Sequence, residues 1–214
     1  MTTALILVDL QNDFLQGGSL PVPHGDTVLP LASRLEGRFK WVVATQEWHP
    51  ANHNSFVGNH PGRTAGEVVK YKKQMLTLEL AHCIQRTRGA ELASGLMLNR
   101  VNKVFRKGTD AEIDSYSGFF DQGRDNATGL HNYLREKKIT HLYLLGLTTE
   151  GCVKHTALDA LDLGFKPYVI EDGCRTRIPS PEAAAQTITE LKRAGIGIIH
   201  SRDLLKLSAK QVKA

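Results

Sequence analysis

Short runs of apolar residues, many of them β-branched, recur along the chain and are separated by amphipathic stretches. The runs lie at residues 4–8, 41–45, 101–105, 141–145, 167–170 and 196–199. Continuous apolar runs of this length are typical of strands that are covered on both faces, as in a parallel sheet. The pattern therefore predicts a mostly parallel sheet of about six strands.

Amphipathic stretches near residues 27–36, 128–138, 152–163 and 181–194 predict helices between these strands. The last helix has the clearest boundaries: Ser180 is a good N-cap, Pro181 suits the first helical position, and Gly195 suits the end. Strands that alternate with helices predict an α/β fold, doubly wound, with helices on both faces of the sheet.

One segment does not follow this alternation. Residues 46–100 follow the second predicted strand and are rich in histidine, asparagine and glycine. Long loops inside compact domains are usually functional or disordered. The length of 214 residues suits one domain, and no linker or repeat divides the chain. We predict a single domain over residues 1–214 with an inserted, metal-binding loop at about 46–100.

Composition excludes several classes of protein. Hydrophobic residues make up 41% and charged residues 23%, which is close to globular averages and unlike disordered or coiled-coil chains. The net charge of +5 comes from scattered basic residues, so we expect no nucleic-acid partner. No apolar run approaches the roughly 18 residues of a membrane span. Asp9 and Asp13 come early and no basic start precedes them, so we expect no secretory signal peptide. The three cysteines are far apart and odd in number, which does not suggest a disulfide framework. These features together predict a cytoplasmic protein without a membrane partner.

Reactive side chains follow several of the predicted strands. Asp9 comes directly after the first run, Lys107 after the third, and Cys152 a few residues after the fourth. Ligands of open α/β sheets bind outside the carboxyl ends of the strands, so we expect these residues to converge. A thiol at a helix start has a lowered pKa, and the free amides there can bind an oxyanion. A lysine can favour the thiolate and a carboxylate can move a proton, which predicts an acyl-transfer triad.

Each of these residues also has a structural interpretation. Most free cysteines are small buried hydrophobic residues, Asp9 could cap a turn, and Lys107 could be a solvated charge. Their joint placement favours catalysis. Cys152 is the preferred nucleophile because Cys83 and Cys174 do not lie at a helix start behind a strand.

A cluster of metal-binding residue types follows the second run. Glu47, His49 and His53 supply one carboxylate and two imidazoles within seven residues. Such sets suit Zn²⁺, Fe²⁺ or Mn²⁺. Histidines are more often surface or core residues than ligands, so the spacing alone leaves both interpretations open.

Seven short segments of the chain form a recognisable series: 8–14 (VDLQNDF), 45–56 (TQEWHPANHNSF), 82–83 (HC), 107–108 (KG), 114–119 (DSYSGF), 146–154 (GLTTEGCVK) and 171–174 (EDGC). In this order they resemble the nicotinamidases (pyrazinamidases) of the isochorismatase-like cysteine hydrolase superfamily, from about residue 4 to about residue 200. Any one of them is weak, and all of them in order are specific. The resemblance implies hydrolysis of nicotinamide, or of a pyrazinamide-like amide, to the acid and ammonia in NAD salvage.

The resemblance also implies roles for particular residues. Asp9, Lys107 and Cys152 match the catalytic triad, in which the cysteine forms a thioester with the acyl group. The backbone amides of Thr148 and Cys152 match the oxyanion donors, with a cis peptide bond before Thr148.

A divalent metal ion is implied as the cofactor, with zinc as the first choice and iron or manganese as alternatives. Glu47, His49 and His82 match its ligands, and His53 matches an extra ligand or a neighbour of the ligands. In this family the metal binds the pyridine nitrogen of the substrate.

Two aromatic residues match the family's substrate pocket, and three positions near it differ from the family pattern. Phe14 and Tyr116 match residues that pack against the pyridine ring. Glu47 stands where the family usually has aspartate, and Glu150-Gly151 replaces aspartate followed by a larger residue. The pair Glu79-Leu80 replaces tryptophan and proline, which predicts the loss of one wall of the pocket.

Two alternatives stay open at this point. The chain could be another amidohydrolase of the superfamily that acts on a different small amide, or a non-catalytic binding protein on the same fold. The complete set of triad residues favours an enzyme with a small-molecule substrate. A homo-oligomer is compatible with the sequence.

Overall fold

A computed structural model describes residues 2–72, 74–178 and 180–206. Its strands are β1 (Thr3–Val8), β2 (Trp41–Glu47), β3 (Val68–Tyr71), β4 (Gln74–Thr77), β5 (Lys103–Lys107), β6 (His141–Leu147), β7 (Lys166–Arg175) and β8 (Gly197–Ile199). Its α-helices are α1 (Leu29–Glu36), α2 (Leu130–Glu136), α3 (Lys154–Asp162), α4 (Pro181–Ala194) and α5 (Ser201–Lys206). Helices and strands alternate over most of this range.

Six of the strands form one parallel sheet in the order β5-β2-β1-β6-β7-β8. Strand β1 lies in the centre and all six of its residues are buried, which explains its continuous apolar sequence. The predicted α/β fold with a parallel sheet of six strands is confirmed.

The direction of the connections explains why helices lie on both faces. From β1 the chain moves to β2 and β5 on one side, and then returns to β6, β7 and β8 on the other. Because parallel crossovers are right-handed, α1 lies on one face, and α2, α3 and α4 lie on the opposite face. Helix α5 packs against α1, and α3 packs against α4. The strand order reverses between β1 and β6, which is where such sheets bind ligands.

Helix α4 illustrates how closely local chemistry determined the boundaries. The hydroxyl oxygen of Ser180 accepts a hydrogen bond of 3.2 Å from the amide of Ala183, and Pro181 is the first helical residue. The helix ends at Gly195, which has a φ of +96°. Its predicted range, 181–194, is confirmed.

The segment from 46 to 100 contains a feature that the sequence pattern did not indicate. Strands β3 and β4 form a separate antiparallel hairpin, in which Val68 pairs with Thr77 and Tyr71 with Gln74. Val68 and Met75 are exposed on one face, and Leu76 is buried on the other, so the short strands carry too few buried apolar residues for the alternation on which strand prediction depends. The short helix α5 was also missed.

No helix among the described residues is both long enough and apolar enough to cross a membrane.

Candidate active site

Four ionisable or nucleophilic side chains meet at the carboxyl edge of the sheet. Asp9 follows β1, Glu47 and Lys107 end β2 and β5, and Cys152 lies in the turn between β6 and α3. Glu47 and Lys107 are also direct neighbours in the register of β2 with β5. The sheet therefore brings together the three residues of the predicted triad and the predicted carboxylate ligand.

Asp9 is completely buried and has a φ of +49°. Its Oδ1 accepts a hydrogen bond of 2.6 Å from the Thr45 hydroxyl, and its Oδ2 lies 3.1 Å from Lys107 Nζ. That second contact is ionic, since Oδ2 has no directed hydrogen-bond donor among the described residues. One carboxylate oxygen is thus held in place and the other can take a proton. Burial raises the pKa of Asp9, although Lys107 opposes the shift.

Lys107 lies at the centre of the site. Its Nζ lies 2.8 Å from Glu47 Oε1, 2.9 Å from the carbonyl oxygen of Ser115 and 3.3 Å from Cys152 Sγ. Burial lowers the pKa of Lys107, but Asp9, Cys152 and Glu47 outweigh it, so the pKa is raised well above its ordinary value. The lysine is charged at neutral pH.

Cys152 lies in an irregular turn, Thr149–Val153, in which Gly151 leaves helical conformation. Its Sγ is 3.4 Å from Glu47 Oε1. Burial raises the pKa of the Cys152 thiol well above its ordinary value; Lys107 opposes this shift, and Asp9 and Glu47 add to it. The prediction of a thiol with a lowered pKa is therefore wrong for the free site, because two carboxylates and burial outweigh one lysine. A base must remove the proton when the sulfur reacts.

Glu47 joins the triad to a pair of histidines. While its Oε1 contacts Lys107, its Oε2 lies 3.1 Å from Nε2 of both His49 and His82. Burial raises the pKa of Glu47, but Lys107 and the two histidines outweigh it, so the pKa lies well below its usual range. The carboxylate is therefore ionised, with Oε1 directed to Lys107 and Oε2 directed to the two histidines.

The two histidines are oriented by the backbone. Nδ1 of His49 is 2.9 Å from the carbonyl oxygen of Gly108, and Nδ1 of His82 is 2.8 Å from that of Leu80. A carbonyl oxygen can only accept, so each Nδ1 carries a proton. Each Nε2 then either donates to Glu47 from a doubly protonated ring or offers a lone pair to a cation that lies between them. The ligand atoms of the three residues lie within 4.8 Å of one another, close enough to bind one cation together. Glu47, His49 and His82 therefore suit a metal ion.

His53 takes a different position. Its ring lies 4.4 Å from the ring of His49, centre to centre, but its Nδ1 is 2.7 Å from the Ser55 hydroxyl. The Ser55 amide also donates to this nitrogen. Burial lowers the pKa of His53 to about 4, so the ring is neutral. His53 lies beside the candidate ligands and outside the group of three.

Two side chains that sequence reasoning did not select hold this arrangement in place. Gln11 donates to the Glu47 carbonyl oxygen and accepts from the Glu47 amide, both at 2.8 Å. Asp13 Oδ2 accepts a 2.7 Å bond from the amide of Cys83, next to His82. Both residues lie in the segment 8–14, and their closeness to Asp9 in the sequence could have indicated that they belong to the site.

Two small cavities of about 40 and 20 Å³ adjoin the reactive groups. Tyr116 lines the larger one and Phe14 the smaller one, while Thr148 and Cys152 line both. The Leu147–Thr148 peptide bond is cis, as expected from the resemblance. Ligand pockets usually measure roughly 300–1,000 Å³. These two cavities are smaller, and they share one wall.

That wall contains Arg177, which sequence reasoning also missed. Arg177 lines both cavities, and its guanidinium forms an ion pair with Glu79. The predicted loss of a wall at Glu79-Leu80 is thus only half right: Leu80 points outward, but Glu79 and Arg177 form a charged wall. Arg177 follows β7 at the same edge of the sheet, which was the available signal.

A larger open groove of about 590 Å³ lies on the outer side of Lys107. Among the described residues that line it there is neither a cysteine nor a histidine. The candidate chemistry therefore belongs to the smaller cavities, where Cys152 and the two histidines meet.

Comparison with known proteins identifies relatives along almost the whole chain. Residues 3–203 match the isochorismatase domain. The nicotinamidase of Escherichia coli (strain K12) is 43% identical over 90% of this chain and 92% of its own length. A solved nicotinamidase/pyrazinamidase of Acinetobacter baumanii is 41% identical, with a TM-score of 0.90 over 95% of this chain and 98% of its own. The pyrazinamidase of Pyrococcus horikoshii, solved in complex with zinc, is 35% identical, with a TM-score of 0.76 over 94% and 99% of the two chains.

Proposed function

Because this chain belongs to the isochorismatase family, we propose that it acts as a nicotinamidase, which hydrolyses nicotinamide to nicotinate and ammonia. One observation supports this most strongly. Lys107 Nζ contacts Asp9, Glu47 and Cys152 at once, beside two histidines that share the second oxygen of Glu47. The arrangement joins an acyl-transfer triad to a binding group for a ring nitrogen.

The first half of the reaction forms a thioester. Asp9 Oδ2 takes the proton from Cys152, and the sulfur adds to the carbonyl carbon of the amide. The backbone amides of Thr148 and Cys152 stabilise the oxyanion. Asp9 then returns its proton to the nitrogen as the carbon–nitrogen bond breaks, and ammonia leaves.

The second half hydrolyses the thioester. Asp9 removes a proton from water, which attacks the carbonyl carbon, and the carbon–sulfur bond breaks with return of the proton to Cys152. The raised pKa of Asp9 suits both steps, because a base that is too weak would not accept either proton. Lys107 balances the charge of Asp9 and of the developing thiolate at 3.1 and 3.3 Å.

Glu47, His49 and His82 would hold the metal ion. A bound ion would supply a Lewis acid for the pyridine nitrogen, which would orient the ring. Imidazole and carboxylate ligands fit zinc, and iron or manganese would fit the same donors. Phe14 and Tyr116 would pack against the ring from the two cavities.

Ammonia release from nicotinamide tests the function directly. We expect turnover that falls after chelation and recovers on addition of zinc. Benzamide is the matched substrate, since it has the same carboxamide without a ring nitrogen, and we expect much slower turnover of it. Absence of ammonia from nicotinamide with every one of the three metals would contradict the assignment.

A second candidate is hydrolysis of a different small carboxamide by the same residues. The charged wall of Glu79 and Arg177 favours it, because a polar wall suits a more polar ring than pyridine. A panel of small carboxamides other than nicotinamide and pyrazinamide separates the two candidates by their kcat/KM values.

We further propose a cytoplasmic location and a small molecule as the sole substrate class, without nucleic acid or membrane partners. Homo-oligomer formation also stays a prediction. Light scattering coupled to gel filtration measures the oligomeric state, and fractionation of cells measures the location.

A further inference from the structure

Arg177 is one of the few residues that line both small cavities of the site. Four of the described residues line both cavities: Glu47, Thr148, Cys152 and Arg177. Three of these already have a place in the proposed reaction, at the metal or at the reacting carbonyl group. Arg177 therefore borders the space beside Thr148 and Cys152, where the proposed reaction places the carboxamide of the substrate and later the carboxylate of the product.

Two contacts fix the position of Arg177. One terminal nitrogen of its guanidinium is paired with Glu79, and its backbone amide donates a 2.8 Å bond to Glu150 Oε1. The Nε–H of Arg177 is buried and has no hydrogen-bond partner among the described residues. A buried donor without an acceptor is costly, and a ligand that supplies one relieves that cost.

The reaction changes the charge of the group that Arg177 faces. The carboxamide is neutral, whereas the product carboxylate is an anion with two equivalent oxygens. Guanidinium groups bind carboxylates through two parallel hydrogen bonds, and charged hydrogen bonds are about twice as strong as neutral ones. Arg177 must therefore favour the product over the substrate.

Glu79 opposes that preference. It binds one terminal nitrogen of the guanidinium, which is then not free for a ligand. It also adds a negative charge to the wall of the larger cavity. Asp114 lines the same cavity and adds to the repulsion of an anion, whereas the charge of Glu47 is balanced by Lys107. The balance between one arginine and these carboxylates sets how tightly an acid is held.

From these observations we propose that Arg177 is a specificity-determining residue that binds the carboxylate of the product acid, and that Glu79 limits this binding so that the acid can leave. The inference rests on the proposed function. It makes the enzyme subject to inhibition by aromatic carboxylates, to a degree set by these two side chains.

Steady-state inhibition of the metal-loaded enzyme tests the inference. The KM for nicotinamide and the Ki for nicotinate are measured for the wild type, Arg177→Gln and Glu79→Gln. We expect Arg177→Gln to raise Ki about tenfold or more and to change KM by less than about threefold, since a charged hydrogen bond exceeds a neutral one. We expect Glu79→Gln to lower Ki, because it frees Arg177 and removes a negative charge.

The opposite signs of the two effects distinguish charge from packing. If both variants raise Ki and KM together, the pair merely closes the wall and the inference is wrong. Arg63→Gln is the matched control, since it breaks an exposed arginine–glutamate pair at residues that line neither cavity. We expect it to change neither constant. Metal content is measured for each variant, because Glu79 lies 3.7 Å from His82.

The proposed function and this inference fail in different ways. A wild type that releases ammonia from nicotinamide, with the ratio of Ki to KM unchanged in Arg177→Gln, overturns the inference alone. A wild type that releases no ammonia overturns the proposed function, and the inference with it.

Discussion

Lys107 Nζ and Glu47 Oε1 lie 2.8 Å apart, in a buried ion pair that joins the candidate triad to the candidate metal ligands. The two residues are direct neighbours in the register of β5 with β2, so the sheet itself sets their distance. The second oxygen of Glu47 faces His49 and His82. A change at Glu47 must therefore affect both halves of the site.

Glu47→Gln tests this coupling. The amide cannot supply a charged oxygen to the histidines, and it leaves Lys107 with Asp9 as its remaining carboxylate partner. We expect loss of most of the bound metal and a decrease of about 3 kcal/mol in the free energy of unfolding, as for a buried pair that loses one partner. Elemental analysis and denaturant titration measure the two effects. If Glu47→Gln retained both its metal and its stability, Glu47 would not couple the candidate triad to the candidate metal ligands.

Cys152→Ala tests the nucleophile. We expect turnover of nicotinamide to fall by about 10⁴-fold or more, as in other hydrolases that lose their nucleophile. Since the side chain is small and follows β6 in a turn, we expect an unchanged fold by circular dichroism. Cys174→Ala is the matched control, because Cys174 is also a buried free thiol but lines neither cavity. A variant at Cys152 that kept more than a few per cent of the rate would exclude the thioester.

Asp9, Lys107 and Cys152 could be selected from the sequence because each follows an apolar strand, and the carboxyl ends of parallel strands share one edge. Arg177 could not be selected with the same ease. Its contact with Glu79 depends on the path of two loops, which no periodic pattern records.

The direction of the Cys152 pKa shift was beyond sequence reasoning for another reason. A helix start and a lysine both lower a thiol pKa, and both are present. The burial of the sulfur and its proximity to two carboxylates appear only when β1, β2 and β6 are placed side by side. The net effect of burial and several charges on a pKa depends on the distances between the groups in the fold, and the spacing of residues along the chain does not give those distances.

Thr45→Val tests the role of Asp9 through the pH dependence of catalysis. Burial raises the pKa of Asp9, and the Thr45 hydroxyl lowers it by donating to the ionised carboxylate. Asp9 must be ionised to act as a base, so activity falls as the pH decreases through this pKa. Removal of the hydroxyl raises the pKa further, and we expect the acid limb of kcat/KM to move to higher pH. Thr45→Ser keeps the hydroxyl and should leave the limb in place. An acid limb that is the same in all three proteins would exclude Asp9 as the base.

Gly108→Ala tests the metal site without removal of any ligand. A Cβ at this position would lie 2.3 Å from Cε1 of His49, so the methyl group must displace the imidazole from its place beside Glu47. Gly108 also has a φ of +62°, where any side chain adds backbone strain. Gly62→Ala separates the two effects, since Gly62 has a φ of +79° and no atom within 4 Å of the added Cβ. We expect both variants to lose about 1 kcal/mol or more of stability from the backbone, but only Gly108→Ala to lose metal. Equal metal contents per chain in the two variants, with activity retained, would show that His49 does not bind the ion.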